Sequence, residues 1–124
     1  MNREETGNGT LETWTPEEVS KAFEAGEIAL VDVRTIQEYA FEHIPGALLL
    51  PMSFFEAGKL PSQEGKPLVF YCGSGVRSEK VARAALEAGE DKIAHMEGGF
   101  GAWKKAELPY IGTEMSSGAP KRIG

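Results

Sequence analysis

A glycine-rich segment contains the residue types that nucleophilic thiol chemistry requires. It runs from Cys72 to Arg77 and Ser78, between an apolar stretch and a helix-forming stretch. Glycines in such a turn let backbone N–H groups point inward and form an anion-binding nest, which the N-terminus of the following helix reinforces. A cysteine sulfur at its base is stabilised as the thiolate, and Arg77 adds planar donors for an oxyanion. The other residues form the predicted substrate-binding loop: Gly73, Ser74, Gly75, Val76 and Ser78.

Cys72 also has a simpler interpretation. A lone cysteine at the end of an apolar strand is often a small buried hydrophobic residue. The glycines, Arg77 and the change from strand to helix favour the reactive thiol instead. No Asp or His partner for Cys72 is evident from the sequence, so we assign no general base and expect the nest to supply the activation. We interpret His43 as a turn histidine bonded to backbone rather than a proton shuttle, and His95 as a strand-end residue rather than a ligand.

The elements that must position this loop alternate between strand and helix patterns. Short apolar stretches without polar alternation are typical of strands covered on both faces. The predicted strands cover residues 28–33, 47–51, 67–72 and 93–96. The predicted helices start at the Thr15 cap and end near Gly26, then cover 36–41, about 77–87 and about 100–106, with a short one at 53–57. Thr15 with Glu18, and Thr35 with Glu38, have the spacing of capping boxes.

Strands separated by helices indicate a parallel sheet with right-handed crossovers. Ligands of such sheets bind beyond the carboxyl ends of the strands, and Cys72 lies at one of these ends. Asp32 and Arg34 end the neighbouring strand at the same edge. They are therefore candidate supporting residues, which either orient the loop and shape the pocket or form an ion pair that ties loop to helix, with Glu38 as a further partner.

Composition limits the class of protein. The chain has 124 residues, enough for one packed core. Residues 1–10 and 112–124 are polar or glycine-rich, which predicts a disordered N-terminal tail and a flexible C-terminal tail around a domain at 11–111. The net charge of −6 argues against a nucleic-acid partner. The longest apolar run, 47–52, is interrupted by Pro51 and is too short to span a membrane.

The cysteine count limits the redox chemistry and the metal chemistry. One cysteine cannot form an internal disulfide, and zinc sites built from cysteine pairs are excluded as well. The polar N-terminus lacks the apolar stretch of a secretory signal. We therefore expect a cytoplasmic protein.

Four motifs, in chain order, resemble those of the rhodanese-like, single-domain sulfurtransferase family. They are Asp32-Val33-Arg34 followed by Glu38-Tyr39; His43-Ile44-Pro45-Gly46-Ala47; the loop from Cys72 to Ser78; and Gly98-Gly99 with Trp103, then Leu108-Pro109. Together they span essentially the whole predicted domain. The resemblance implies an α/β fold with a five-stranded parallel sheet and helices on both faces, and a persulfide formed on Cys72.

Loop length distinguishes activities within this wider fold. Four residues separate Cys72 from Arg77, as in the family's sulfurtransferases, whereas related dual-specificity phosphatases have one more. Thioredoxin-coupled arsenate reductases also use resolving cysteines, which a chain with one cysteine lacks. The phosphatase and arsenate-reductase interpretations are therefore disfavoured. The first five loop residues resemble the mercaptopyruvate-using branch, and Arg77 is typical of single-domain thiosulfate-type members. Two-domain enzymes have a basic residue at what resembles the Glu38 position; an acidic residue there disfavours a strongly anionic donor if it faces the pocket.

These features predict a sulfurtransferase of thiosulfate type. It would move a sulfane sulfur from thiosulfate or a related small-molecule donor, through a Cys72 persulfide, to a thiol, to cyanide or to a protein acceptor, without a metal or organic cofactor. Arg77 and the nest would help sulfite to leave. The alternative is a persulfide carrier that relays sulfur between partner proteins with little thiosulfate turnover. A third interpretation is an idle regulatory domain, against which the intact Cys72 and Arg77 argue. No nucleic-acid or membrane partner is expected.

Overall fold

The computed structural model describes residues 1–56 and 59–124. Its strands are β1 (Asn2–Glu5), β2 (Thr10–Trp14), β3 (Ala29–Asp32), β4 (Leu48–Leu49), β5 (Leu68–Tyr71), β6 (Lys92–Met96), β7 (Tyr110–Thr113) and β8 (Pro120–Ile123). Its helices are α1 (Pro16–Glu24), α2 (Ile36–Phe41), α3 (Val76–Glu87) and α4 (Gly99–Lys105), and a 3-10 turn covers Met52–Phe54. The helix predicted at 53–57 is therefore a shorter turn that begins one residue earlier, and position 57 lies outside the described residues.

The central sheet has the strand order β1-β2-β6-β5-β3-β4. The pairs from β2 to β4 are all parallel, which confirms the predicted α/β fold with five parallel strands, and β1 adds an antiparallel edge strand. Because β5 lies between β6 and β3, Cys72 follows a strand in the middle of the sheet. Asp32 ends β3 at the same edge.

Helices cover both faces of this sheet, and alternate residues of β5 pack on opposite sides. Val69 and Tyr71 belong to the core cluster that α1 and α4 cover, through Val19, Ala22, Phe100 and Trp103. Leu68, Phe70 and Cys72 belong to the second cluster, which α3 covers through Val81, Ala82, Ala85 and Leu86. Cys72 therefore points towards α3, the helix that begins at the end of its own loop.

Both predicted capping boxes are present. Thr15 and Glu18 exchange side-chain-to-backbone hydrogen bonds at the start of α1. At the start of α2, the Glu38 N–H donates to Thr35 Oγ1 at 3.1 Å, and the Thr35 N–H donates to Glu38 Oε1 at 3.1 Å. Capping therefore fixes the position of the Glu38 carboxylate as well as the start of the helix.

One strand prediction was wrong about burial, and one strand of the parallel sheet was not predicted. The stretch at 47–51 was expected to be covered on both faces, but β4 is a two-residue edge strand in which Leu48 is 53% exposed. A run of leucines shows that a segment is hydrophobic, but it does not show whether another strand or helix packs against both of its faces. β2 was not predicted, since its sequence Thr-Leu-Glu-Thr-Trp mixes polar and apolar residues. Glu12 is buried in β2, where it accepts hydrogen bonds from Arg3 and Trp14.

The ends of the chain also differ from the predicted tails. β1 lies within 1–10, and β8 lies within 112–124, where it forms an antiparallel hairpin with β7. All four β1 side chains are exposed, so their composition resembles that of a tail. Backbone hydrogen bonds to β2 form the strand without apolar burial, and an ion pair of 2.8 Å between Glu4 and Arg83 ties β1 to α3.

The helices are short, and the longest, α3, has 12 residues. In the part of the chain that the structure describes, none of them has the length and hydrophobicity needed to cross a bilayer. Within residues 1–56 and 59–124, no three His, Cys, Asp or Glu side chains are grouped so that they could hold a metal ion.

Candidate active site

The loop after β5 turns directly into α3, and Gly75 makes that turn. Gly75 is the N-cap of α3 and has φ +101°, in the left-handed region that favours glycine. A Cβ atom at this position would lie 3.3 Å from the backbone nitrogen of Gly98. The turn therefore brings the free amides of a helix N-terminus to the sulfur of Cys72, as the predicted nest requires.

The start of α4 supports the loop from behind. The Phe100 N–H donates to the Cys72 carbonyl oxygen at 2.7 Å, and the Gly101 N–H donates to the Gly73 carbonyl oxygen at 3.1 Å. Gly99 has φ +60°, and a Cβ atom there would lie only 2.7 Å from the Gly73 carbonyl carbon. The Gly98-Gly99 motif is therefore explained by the close approach of two backbones, which fixes the loop.

The Cys72 side chain is fully buried at the base of the loop. The Gly75 N–H donates to its Sγ at 3.0 Å, and Ser78 Oγ lies 3.6 Å from the same atom. Burial alone raises the pKa of the Cys72 thiol, but hydrogen bonds from Ser78, Ser74 and Gly75 outweigh it, so the pKa lies below its ordinary value. The arrangement favours a thiolate nucleophile over an inert core thiol.

A buried chain of polar groups continues from Ser78 away from the sulfur. Ser78 Oγ lies 3.1 Å from His95 Nδ1, and Thr13 Oγ1 lies 3.3 Å from His95 Nε2. Ser78 and His95 are both buried, and burial lowers the pKa of His95, which favours the neutral imidazole. The strand-end interpretation of His95 missed this connection. The available signal was a histidine in an otherwise apolar strand that helices cover.

Arg77 lies at the end of the loop, but its guanidinium is paired with Glu38. Nη1 and Nη2 donate to the two carboxylate oxygens at 2.7 and 3.0 Å. The hydrogen bond from Arg77 lowers the pKa of Glu38 to about 2. A Cβ atom at Gly73 would lie 3.3 Å from Arg77 Nη2 and 4.0 Å from Glu38 Oε2, so the pair lies against the loop. Glu38 is therefore an acidic neighbour of the site.

Asp32 and Arg34 form a buried ion pair beside the loop. Arg34 Nε and Nη2 donate to the Asp32 carboxylate at 3.0 and 2.8 Å. Arg34 Nη2 also donates to the Glu42 carbonyl oxygen at 2.6 Å, and its guanidinium lies 4.6 Å from the ring centroid of Phe100. These contacts tie the end of β3 to the end of α2 and to α4. Glu38, which was suggested as a further partner of this pair, is bonded to Arg77 instead.

Two clefts flank the loop. One, of about 360 Å³, opens at the carboxyl edge of the sheet and is lined by Val33, Arg34, Thr35, Pro51, Met52, Ser53 and Arg77. The other, of about 290 Å³, is lined by Thr13, Ser74, Gly75, Val76, Glu79, His95, Glu97 and Gly98. The Cys72 side chain is fully buried beneath the loop that lies between the two clefts.

His43 occupies the turn before β4. Its Nδ1 lies 2.8 Å from the Tyr39 carbonyl oxygen, and its ring stacks on the Tyr39 ring with centroids 4.1 Å apart. Its backbone pairs with Ile111. These contacts fit the interpretation of His43 as a turn histidine bonded to backbone.

Comparison with known protein families gives a match to the rhodanese-like domain over residues 15–106. Among curated proteins, the chain is 39% identical over 102 residues to an uncharacterized protein of Synechocystis, covering 82% of this chain and 57% of that protein. It is 35% identical over 96 residues to the thiosulfate sulfurtransferase GlpE of Haemophilus influenzae, covering 77% and 90%.

A further relative is the probable adenylyltransferase/sulfurtransferase MoeZ of Mycobacterium tuberculosis, 38% identical over 102 residues. That match covers 78% of this chain and only 26% of MoeZ, so the chain corresponds to one part of a longer protein there. It likewise spans little more than half of the Synechocystis relative.

Solved structures give the same fold. A Rhodopseudomonas palustris protein, described as of unknown function and a possible tyrosine phosphatase, matches with a TM-score of 0.70 and 34% identity, covering 80% of this chain and 83% of that one. A rhodanese-related protein of Thermoplasma volcanium matches with a TM-score of 0.71 over 81% and 97% of the two chains. Its identity is 21%, so this second likeness concerns the fold alone.

Proposed function

The chain belongs to the rhodanese-like domain family, and from that premise we propose that it transfers sulfane sulfur through a persulfide on Cys72. Relatives named as sulfurtransferases, such as GlpE and a 33% identical protein of Allochromatium vinosum, support a rhodanese-type sulfurtransferase. The observation that supports the mechanism most directly is the hydrogen bond from the Gly75 N–H to Cys72 Sγ at 3.0 Å. It stabilises a sulfur anion at the end of a fully buried side chain.

The first half of the reaction loads the enzyme. The Cys72 thiolate attacks the outer sulfur of the donor, so that an Sγ–S bond forms while the donor's own bond to that sulfur breaks. The leaving group takes the electron pair and departs as sulfite from thiosulfate, or as a thiolate from a thiol persulfide. The loop amides that stabilise the thiolate then face the outer sulfur of the persulfide, which carries the negative charge.

The second half unloads it. A thiophilic acceptor, such as a thiolate or cyanide, attacks the outer sulfur, the Sγ–S bond breaks, and the Cys72 thiolate is restored. Atoms and electrons balance without an external oxidant or reductant, because each sulfur transfer exchanges one bond for another. The cycle is a ping-pong reaction with a covalent intermediate.

The ion pair between Glu38 and Arg77 favours a specific version of this function, the persulfide relay with little thiosulfate turnover. A dianionic donor must compete with a carboxylate for the same guanidinium and must approach that carboxylate's charge. A thiol persulfide or a protein-bound persulfide has no sulfonate group next to the sulfur that is transferred, so its reacting end carries a single negative charge and needs no such site. We therefore propose thiol-derived persulfides as the preferred donors and a thiol or a protein as the acceptor.

Phosphate ester hydrolysis is the competing activity that the Rhodopseudomonas palustris structure suggests. The same ion pair weighs against it, since a phosphate dianion needs the free guanidinium. The four-residue spacing between Cys72 and Arg77, which resembles that of sulfurtransferases, weighs against it as well.

Intact-mass measurement tests the proposed persulfide. Cys72 is the sole cysteine, so loading with thiosulfate or glutathione persulfide must add about 32 Da, the mass of one sulfur atom, at that residue. Excess cyanide must remove the added mass. The Cys72→Ser variant is the control and should gain no mass with either donor. Absence of the added mass on folded wild-type protein with both donors, or sulfur transfer by the variant, contradicts the proposal.

A further inference from the structure

His95 and Thr13, which continue the buried chain of polar groups beyond Cys72 and Ser78, have no part in the reaction as described so far. We propose that His95 is a positioning residue that, by exchanging the tautomer of its imidazole, receives the proton of the Cys72 thiol through Ser78 and holds the hydrogen bonds of the thiolate state. The proposal rests on the proposed function, in which the Cys72 thiolate is the nucleophile.

Ser78 Oγ also lies 3.2 Å from the Gly75 carbonyl oxygen, which is a further acceptor for its single proton. When that proton is shared only along the chain of polar groups, the hydrogen bonds can be assigned in two self-consistent ways. In the thiol state, Sγ–H donates to Ser78 Oγ, the Ser78 hydroxyl donates to His95 Nδ1, and His95 Nε2–H donates to Thr13 Oγ1. In the thiolate state every donor reverses, so that Thr13 donates to Nε2, Nδ1–H donates to Ser78, and Ser78 donates to the sulfur. The distances of 3.6, 3.1 and 3.3 Å along the chain serve both assignments.

The protons balance when the thiol state converts to the thiolate state. The thiol proton moves to Ser78 Oγ, the Ser78 proton moves to Nδ1, and the Nε2 proton leaves to solvent. One proton is released, Cys72 gains a negative charge, and His95 stays neutral throughout. The cleft of about 290 Å³ that His95 and Thr13 line provides the place where this proton meets water.

The surroundings of His95 keep its imidazole neutral, as tautomer exchange requires. Burial is the largest influence and lowers its pKa. The charged groups that act on His95 come from α3 and from the residue after β6: Glu79 and Glu97 raise the pKa, and Arg83 lowers it. Burial outweighs the two carboxylates, since the net shift is downward. A neutral histidine can donate from one nitrogen and accept at the other, which a charged one cannot.

The pH dependence of Cys72 alkylation tests this inference without any sulfur donor. Iodoacetamide reacts with the thiolate, and Cys72 is the sole thiol, so the rate against pH gives the midpoint of its ionisation. His95→Phe removes both hydrogen bonds and should raise the midpoint by about one pH unit, which is about a tenfold slower reaction below the midpoint. His95→Asn keeps a hydrogen bond to Ser78 but cannot exchange tautomers, so it should recover only part of the shift, and full recovery would show that tautomer exchange is not needed.

Two further variants separate this role from a merely structural one. His43→Phe is the matched control, because His43 is bonded to backbone in a turn and does not belong to the hydrogen-bonded chain from Cys72 to Thr13. The alkylation midpoint of this variant should equal that of the wild type. In Ser78→Ala the connection is already broken, so adding His95→Phe should shift the midpoint no further. An unchanged midpoint in folded His95→Phe, or full additivity with Ser78→Ala, overturns the proposal.

If His95→Phe fails to fold, Thr13→Val decides. Valine has nearly the same shape as threonine and removes only the bond at Nε2, so the midpoint should rise, and an unchanged midpoint overturns the proposal. The outcome is independent of persulfide formation. If the variants shift the alkylation midpoint as expected but the wild type gains no sulfur mass, the proposed function is contradicted and the role of His95 is not.

Discussion

The guanidinium of Arg77 and the carboxylate of Glu38 form a two-point ion pair beside the cysteine loop, with N–O distances of 2.7 and 3.0 Å. From the sequence, the planar donors of Arg77 were expected to bind the departing oxyanion. In the structure, a carboxylate of the same chain already accepts from two of them. Because the capping box of Thr35 holds that carboxylate, it cannot turn away without losing its hydrogen bond from the Thr35 N–H. The pair therefore acts as an internal competitor for anionic donors.

Glu38→Gln should increase sulfur loading from thiosulfate. The variant keeps the shape of the side chain, removes the charge and leaves Arg77 free to bind the donor. Freeing Arg77 gains at most the free energy of the ion pair, which is about 1 kcal/mol or less at this exposure, so kcat/KM with thiosulfate should rise by up to about fivefold. The rate with glutathione persulfide should change by less than about twofold. Parallel kinetics with both donors measure the difference.

Glu42→Gln provides the matched control for Glu38→Gln. It removes the same charge from the end of α2, where the carboxylate pairs with Lys104 instead. If the gain comes from Arg77, Glu42→Gln should not change the thiosulfate rate, and adding Arg77→Ala to Glu38→Gln should abolish the gain. Equal gains in the two glutamine variants would mean that net charge alone limits thiosulfate, and an unchanged rate in Glu38→Gln would remove Glu38 from donor selection.

The same ion pair should make stability depend on pH in the acid range. The folded-state pKa of Glu38 is about 2, below its ordinary value of 4.5. Its stabilising contribution is therefore fully present above about pH 4.5 and is lost as the pH falls towards 2. Both side chains are more than a third exposed, so solvent screening limits the contribution to about 1 kcal/mol or less.

Urea unfolding of the wild type and of Glu38→Gln at several pH values measures this contribution. The wild type should be the more stable at pH 6, and the difference should shrink steadily between pH 4.5 and the lowest pH at which both remain folded. High salt at pH 6 should also reduce it. A difference that stays constant down to pH 3 would show that the pair does not stabilise the fold.

The parts of the fold that the sequence predicted are those with strong local signals. The capping boxes at Thr15 and Thr35 set the starts of α1 and α2, and the fully apolar stretch around Phe70 set a central strand. The cysteine loop could be predicted for the same reason, since its glycines, nucleophile and helix start are contiguous.

Features that depend on distant residues could not be predicted in this way. Thr13, Ser78 and His95 lie on β2, α3 and β6, and only the sheet order brings β2 beside β6. The pairing of Glu38 with Arg77 joins residues 39 positions apart and was not predicted, since Glu38 was expected only as a further partner of Asp32 and Arg34 or as an acidic residue that faces the pocket. β1 was missed because a polar edge strand is stabilised by its partner's backbone, which no local pattern records.

Gly99→Ala should destabilise the protein and disturb the thiolate together. The substitution forces a Cβ atom into a left-handed backbone position, at a cost of about 1–2 kcal/mol. It also forces overlap with the backbone of Gly73, which adds about 1–3 kcal/mol if the loop moves to make room. A displaced loop weakens the hydrogen bonds on Cys72 Sγ, so the alkylation midpoint of Cys72 should rise with the loss of stability.

Gly118→Ala separates the two effects. Gly118 has φ +74°, close to the φ of +60° at Gly99, and a Cβ atom there would meet no atom within 4 Å. It should therefore lose stability only from backbone strain and keep the wild-type alkylation midpoint. Urea unfolding and iodoacetamide kinetics on both variants give the comparison. If Gly99→Ala loses no more stability than Gly118→Ala and keeps the wild-type midpoint, then α4 does not fix the cysteine loop, and the loop holds its shape through its own hydrogen bonds.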